Sequence, residues 1–374
     1  MDETLCKRLE ALTAAGRAQS LDFEGVAARV ATDRFVAMST PGVETCAQYE
    51  AMMSDALSRI DATNALRIAA RLAPCPAAPQ STLLRLIALG PQTATPVFRL
   101  AAGLPAPLLL ERAVAGDARE AAAIAARGDI DRPTVGALAR RLESEVLHAL
   151  AANRNVAIDR GAMVALTQRG RIDIELGRLL LARDDDTLDR NALFLSADAP
   201  ARRLILLEAA RKTLAGPDNL SDPFDAARQQ ALDAAASGDL QRFCSVLARA
   251  LRTARSDIEP LARDPGGEPL GLVFAAMGLA ASESERPLVA LRGDLAAKLE
   301  DPMSGLRLAM QAPAGAASAI LAALRPGRRR QTATGEYSGA GQHAGASAQT
   351  QARDAALPVR TPARAPETRK FNRG

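Results

Sequence analysis

Few residues in this chain combine the type and spacing that chemistry needs. His148 is one of two histidines, the other lying near the C-terminus, and an imidazole suits general acid–base work near neutral pH. No Ser or Cys is spaced to suggest a nucleophile beside it. Its neighbours Val146, Leu147 and Leu150 form an apolar helical face, which leaves His148 on the flank. Asp184-Asp185-Asp186 offers carboxylate oxygens to a divalent cation. It lacks the alternating ligands and closing Glu of a calcium loop, and acidic residues opening a helix also answer to the helix dipole. Cys6, Cys46, Cys75 and Cys244 stand far apart, with no zinc or disulfide framework. Gly266-Gly267 follows no strand and lacks a phosphate-loop lysine. These patterns assign no catalytic, cofactor or metal site, and the expectation is a protein that is not an enzyme.

A different kind of spacing is more informative. Ile124-Ala125-Ala126-Arg127, Leu150-Ala151-Ala152-Asn153 and Leu180-Leu181-Ala182-Arg183 each close an apolar helical run and lead into polar turn residues. From Ala126 to Ala152 to Ala182 the steps are 26 and 30 residues, the footprint of a helical repeat. Arg127, Asn153, Arg154 and Arg183 therefore recur at equivalent corners. In a stack such corners align, and these four are the partner-binding candidates, as a shared polar strip. The local alternative is that they satisfy loose carbonyls at helix C-termini.

The elements that carry these corners read as helices throughout. Apolar residues make up 48% of the chain but aromatics only 3%, and the apolar share is mostly Ala and Leu, which lead the helix scale while strands favour β-branched and aromatic residues. Phe23, Val26 and Val30 line one early face; Met53, Leu57 and Ile60 line another, and Leu66, Ala69, Ala70 and Leu72 follow the turn at 61–64. Leu138, Leu142, Val146, Leu147 and Leu150 supply apolar rows. Ile172, Leu176, Leu179 and Leu180 stand at i, i+4, i+7 and i+8, a full stripe expected to be buried. Leu204, Leu207 and Leu214 repeat the pattern, and Leu240, Phe243, Leu247 and Leu251 make a strongly amphipathic helix.

The expected division is N-terminal helices over 1–42, a repeat domain over 43–216, a helical region continuing the array over 217–325, and a disordered tail over 326–374. That tail is rich in Gly, Ala, Ser, Pro and Arg and cannot offset its ordering entropy by burial. Of the overall charge of +4, nine Arg/Lys against three Asp/Glu put +6 in the tail and leave −2 in the body. Arg328, Arg329 and Arg330 are the polyanion-contact candidates. No secretory signal or apolar run of membrane-spanning length is read, so a cytoplasmic location with reduced thiols is expected.

From Val43 to Gly216 the chain resembles an uncharacterised bacterial family, domain of unknown function 2336. The likeness rests on residues 65–73 (ALRIAARLA), 96–100 (PVFRL), 123–127 (AIAAR) and 145–153 (EVLHALAAN). Gly128 departs from the family's frequent Pro after the Arg, and Arg154 from its Pro or Gly after the Asn. The resemblance implies HEAT-like or leucine-rich-variant-like repeats and supplies no catalytic residue. The fold expected is all-α, an α-solenoid of short paired helices. The function expected is a scaffold or regulatory adaptor that binds a protein partner; a nucleic-acid-binding repeat protein assisted by the basic tail is the alternative.

Overall fold

Apolar residues at helical spacing, many of the runs opened by an acidic cap or a proline, set the elements. A computed structural model describes residues 7–8, 11, 23–38, 40–183, 185–215, 224–293 and 307–325. Among these every regular element is a helix. The first are α1 (Phe23–Val36), α2 (Val43–Ala56), α3 (Ala62–Leu72), α4 (Gln80–Ala88), α5 (Pro91–Leu100) and α6 (Ala106–Ala115). Then come α7 (Ala118–Ala125), α8 (Arg132–Leu138), α9 (Ser144–Ala152), α10 (Arg160–Gly170), α11 (Ile174–Leu181) and a 3₁₀ helix (Arg190–Ser196). The remainder are α12 (Ala199–Ala215), α13 (Arg228–Ala236), α14 (Leu240–Ala250), α15 (Arg255–Arg263), α16 (Glu268–Ala276), α17 (Ala281–Leu291) and α18 (Ala314–Leu324).

Alternate helices pack side by side. One row runs α1, α3, α5, α7, α9, α11 and ends on the 3₁₀ helix; α6, α8 and α10 neighbour one another beside it. The row's local logic is plain in α3: the Asp61 carboxylate accepts the Asn64 N–H at 2.6 Å, and Ala65, Ile68, Ala69 and Leu72 face the core. Asp117, Asp131, Asp159 and Asp173 cap α7, α8, α10 and α11 in the same way.

The Ile172–Leu180 stripe is only partly interior. Leu176 and Leu180 are buried, but Ile172 lies outside α11, in the turn before its Asp173 cap, and is exposed. Leu142 likewise precedes α9 and faces out, and Val26 and Val30 are exposed while Ala28, Ala31 and Phe35 form the buried face of α1. On α12 the buried side chains are Ile205, Leu206 and Ala209, and Leu204 and Leu207 are exposed. A helix with leucines all round has no unique apolar face by pattern alone; packing decides.

Two apolar cores share the compact unit Met1–Pro326. They part inside the 3₁₀ helix: Leu193 joins the first and Phe194 the second. That division lies upstream of the one read at residue 216. Beyond it the alternate-helix pattern gives way. All nine residues of α16 are buried, α13 packs on α17, and α18 lies against α16, α12 and the 3₁₀ helix. Residues 327–374 form the second unit and lie outside the described residues, as do 1–6 and 216–223.

Candidate functional site

The corner residues are drawn inside. Arg127, Asn153 and Arg183 are 5%, 9% and 8% exposed. Arg127 Nη1 donates to the Phe98 carbonyl at 2.8 Å, while its Nε and Nη2 grip both carboxylate oxygens of Asp129. Asn153 Nδ2 donates to the carbonyls of Ala125 and Arg127 at 2.8 and 2.6 Å. Arg183 spans three carbonyls: Ala151 and Asn153 through Nη1 at 3.1 and 2.5 Å, and Val156 through Nη2 at 2.6 Å. Each corner side chain thus holds the C-terminal carbonyls of the helix before it in the row, Asn153 clasping the Arg127 backbone and Arg183 the Asn153 backbone. Helix ends leave such carbonyls without intrahelical partners, and a long donor from the next repeat supplies them. This corrects the expectation of a displayed strip: buried, and with their Arg127 guanidinium, Asn153 amide and Arg183 Nη donors turned onto carbonyls and Asp129, these three side chains do not present themselves to a partner. Arg154 alone of the four is exposed.

The acidic run is divided too. Asp185 accepts the Thr187 N–H and hydroxyl at 2.9 and 2.6 Å, a local turn, and Asp184 lies outside the described residues. Arg328, Arg329 and Arg330 also lie outside them. Among the described residues no group of His, Cys, Asp and Glu is placed to hold a metal ion.

His148 is half-buried, with Nε2 at 2.8 Å from Asp173 Oδ2. Burial raises the Asp173 carboxyl, but the Leu176 N–H, His148 and Ser144 together outweigh it and hold the group below the usual carboxylate range. The pair acts as a bridge from α9 to the cap of α11.

The opposite end of the same row is more open. Its helices begin at Asp61, Gly90, Asp117, Glu143 and Asp173. The residues just before these caps are Ile60, Leu89, Gly116, Leu142 and Ile172. Leu142 is 70% and Ile172 87% exposed; Leu89, Val114 and Ile174 at the same end are exposed as well. Between the first turns of α3, α5 and α7 a depression of ≈ 350 Å³ is lined by Ala62, Leu89, Gln92, Thr93, Asp117 and Arg119. Arg141 braces this edge. Its guanidinium donates to the carbonyls of Val114 and Gly116 at 3.2 and 3.1 Å and to Glu143 at 2.8 Å. Leu89, Leu142 and Ile172, equivalent in register, form with Val114 and Ile174 a ridge along one edge, unlike apolar residues scattered singly. Sequence reading missed this ridge because it credited Leu142 and Ile172 to buried faces; an apolar residue immediately ahead of an acidic cap was the available signal.

A second polar cluster lies in the other core. Arg202 Nη2 and Nη1 donate to Asp264 at 2.7 and 2.8 Å, Nη1 also to Glu268 at 2.7 Å, and Nε to the Phe194 carbonyl at 3.2 Å. Burial alone would lower the guanidinium's pKa; the two carboxylates outweigh that and raise it. Arg292 Nη1 donates to the Ala262 and Asp264 carbonyls at 3.1 and 2.9 Å, repeating the clasp seen in the row. All these groups are paired within the chain, which makes the cluster a lock joining α12, α15, α16 and α17.

Comparison with protein families, with curated proteins and with solved structures finds no match. The likeness to domain of unknown function 2336 therefore rests on the residues quoted for it.

Proposed function

We propose that this chain is a non-enzymatic interaction scaffold, an α-solenoid-like stack acting as a regulatory adaptor, with its N-cap edge as the docking surface for a protein partner. The observation that carries this reading is the ridge of Leu89, Val114, Leu142, Ile172 and Ile174, exposed at the same end of successive helices. Burying such residues in a partner contributes about 1.5–3 kcal/mol for each side chain fully covered. Rigid helices hold the ridge in place, so little ordering entropy is lost on binding. The HEAT-like character and the protein partner are supported by the alternate-helix row and by the clasps that lock successive helices.

The test compares partner recovery by the wild-type chain and by L142S/I172S in quantitative affinity purification. Both residues are exposed, so the variant keeps its melting temperature. The reading expects loss of specific partners from the variant; an unchanged set of partners removes the ridge from the binding surface.

A further inference from the structure

A second exposed face lies on α12, apart from the ridge and independent of that reading. Leu204 and Leu207 are 65% and 52% exposed there. They stand three residues apart, about 60° from each other around the helix at 100° per residue. Arg203 and Arg211 are exposed on the same side. Among the described residues no carboxylate pairs with these two cations. Glu208, on the same helix, is held by Arg190 Nη1 at 3.0 Å. The opposite side of α12 is fixed by Ile205, Leu206 and Ala209 in the core and by the Arg202 lock. The outward leucines therefore cannot turn inward without breaking that lock.

We propose that this face of α12 docks an acidic amphipathic helix of a partner protein. Two leucines one turn apart form a ridge one helix wide, which fits the groove of a second helix. Arg203 beside Leu207, and Arg211 one turn beyond it, ask for carboxylates along the partner's apolar stripe. A bilayer is the weaker fit: a whole acyl chain gives only marginal membrane attachment, and two half-exposed leucines bury less hydrocarbon. Nucleic acid would use the cations but leave the leucines in water.

The probe is a fluorescein-labelled helical peptide with leucines at i, i+3 and i+7 and glutamates on both flanks, titrated into the full chain and followed by anisotropy. The expected results are binding that weakens as salt rises, a loss of tenfold or more in L204S/L207S, and a similar loss in R203E/R211E. A peptide with lysines in place of the glutamates should recover binding to R203E/R211E, which a mere folding defect would not allow. Far-UV circular dichroism checks that both variants fold. No binding of the acidic peptide overturns the proposal, as does equal affinity for wild type and R203E/R211E. Two other outcomes also overturn it: leucine-dependent pelleting with phosphatidylglycerol vesicles assigns the face to a lipid surface, and leucine-dependent dimerisation in sedimentation assigns it to a second copy.

Discussion

Arg183 joins three carbonyls of the stretch 151–156, and a guanidinium does this because its donors are fixed in a plane. Burial lowers its pKa, with the Asp185 charge opposing that shift and Arg154 adding to it. Arg183→Ala should lower unfolding free energy by about 2–4 kcal/mol, since buried acceptors lose their donor, and Arg183→Lys should recover only part, as read from urea midpoints. Asn153→Asp is the sharper change. It turns a donor facing the Ala125 and Arg127 carbonyls into an acceptor, and should cost more than Asn153→Ala at neutral pH. Asp173 sets a pH dependence. Because its folded pKa is depressed, its contribution is present above the unfolded value of about 3.9 and is lost as pH falls through the folded one. Asp173→Asn retains a cap-competent side chain. It should be less stable than wild type at neutral pH, with a shallower loss of melting temperature in acid. Asp129 is shifted the same way, chiefly by its hydrogen bond from Arg127, but it is largely exposed and should add little.

At the scale of elements, close helix crossing depends on small residues. A Cβ on Gly177 would collide with Ser196 Oγ and lie 2.7 Å from the Gly170 carbonyl, which Ser196 itself holds at 3.0 Å. Gly177→Ala should therefore destabilise the α10–α11–3₁₀ junction despite alanine's better helix propensity, and hydrogen exchange should rise first at 170–196. The helices themselves were legible: capped starts, Ala/Leu runs and the corner recurrence all correspond to real elements. Which residues of a run go inside was less so. Ile172 fits the stripe by periodicity, yet Asp173 starts α11 after it. Leu204 and Leu207 satisfy helical spacing as well as Ile205 and Leu206 do. The corner signal was seen but its direction was hidden, because Arg and Asn at a helix end can reach outward to a partner or back to the preceding repeat. Only the distances to the Phe98, Ala125 and Ala151 carbonyls separate the two.

Across the whole molecule the two ends of the helix row differ in kind. One end consumes its polar side chains in clasps between neighbours; the other leaves apolar residues uncovered. The return of α18 onto the 3₁₀ helix, α12 and α16, with Arg171 donating to the Leu324 carbonyl, covers the row where it meets the second core. This long-range closure was not readable from a repeat period, which describes only neighbours. The charge division was readable. Removing residues 327–374, which carry the excess of cations, should leave the melting temperature nearly unchanged and abolish salt-dependent retention on phosphocellulose. Retention by the truncated chain would favour a nucleic-acid role for the helical body.

The most direct measurement places a photo-crosslinking amino acid at Leu142 or Ile172 on the cap edge, and at Arg154 on the clasp edge, and compares the crosslinked products in cells. Partner adducts from positions 142 and 172, and none from 154, are the predicted result. Adducts concentrated at 154, with positions 142 and 172 silent, would contradict it.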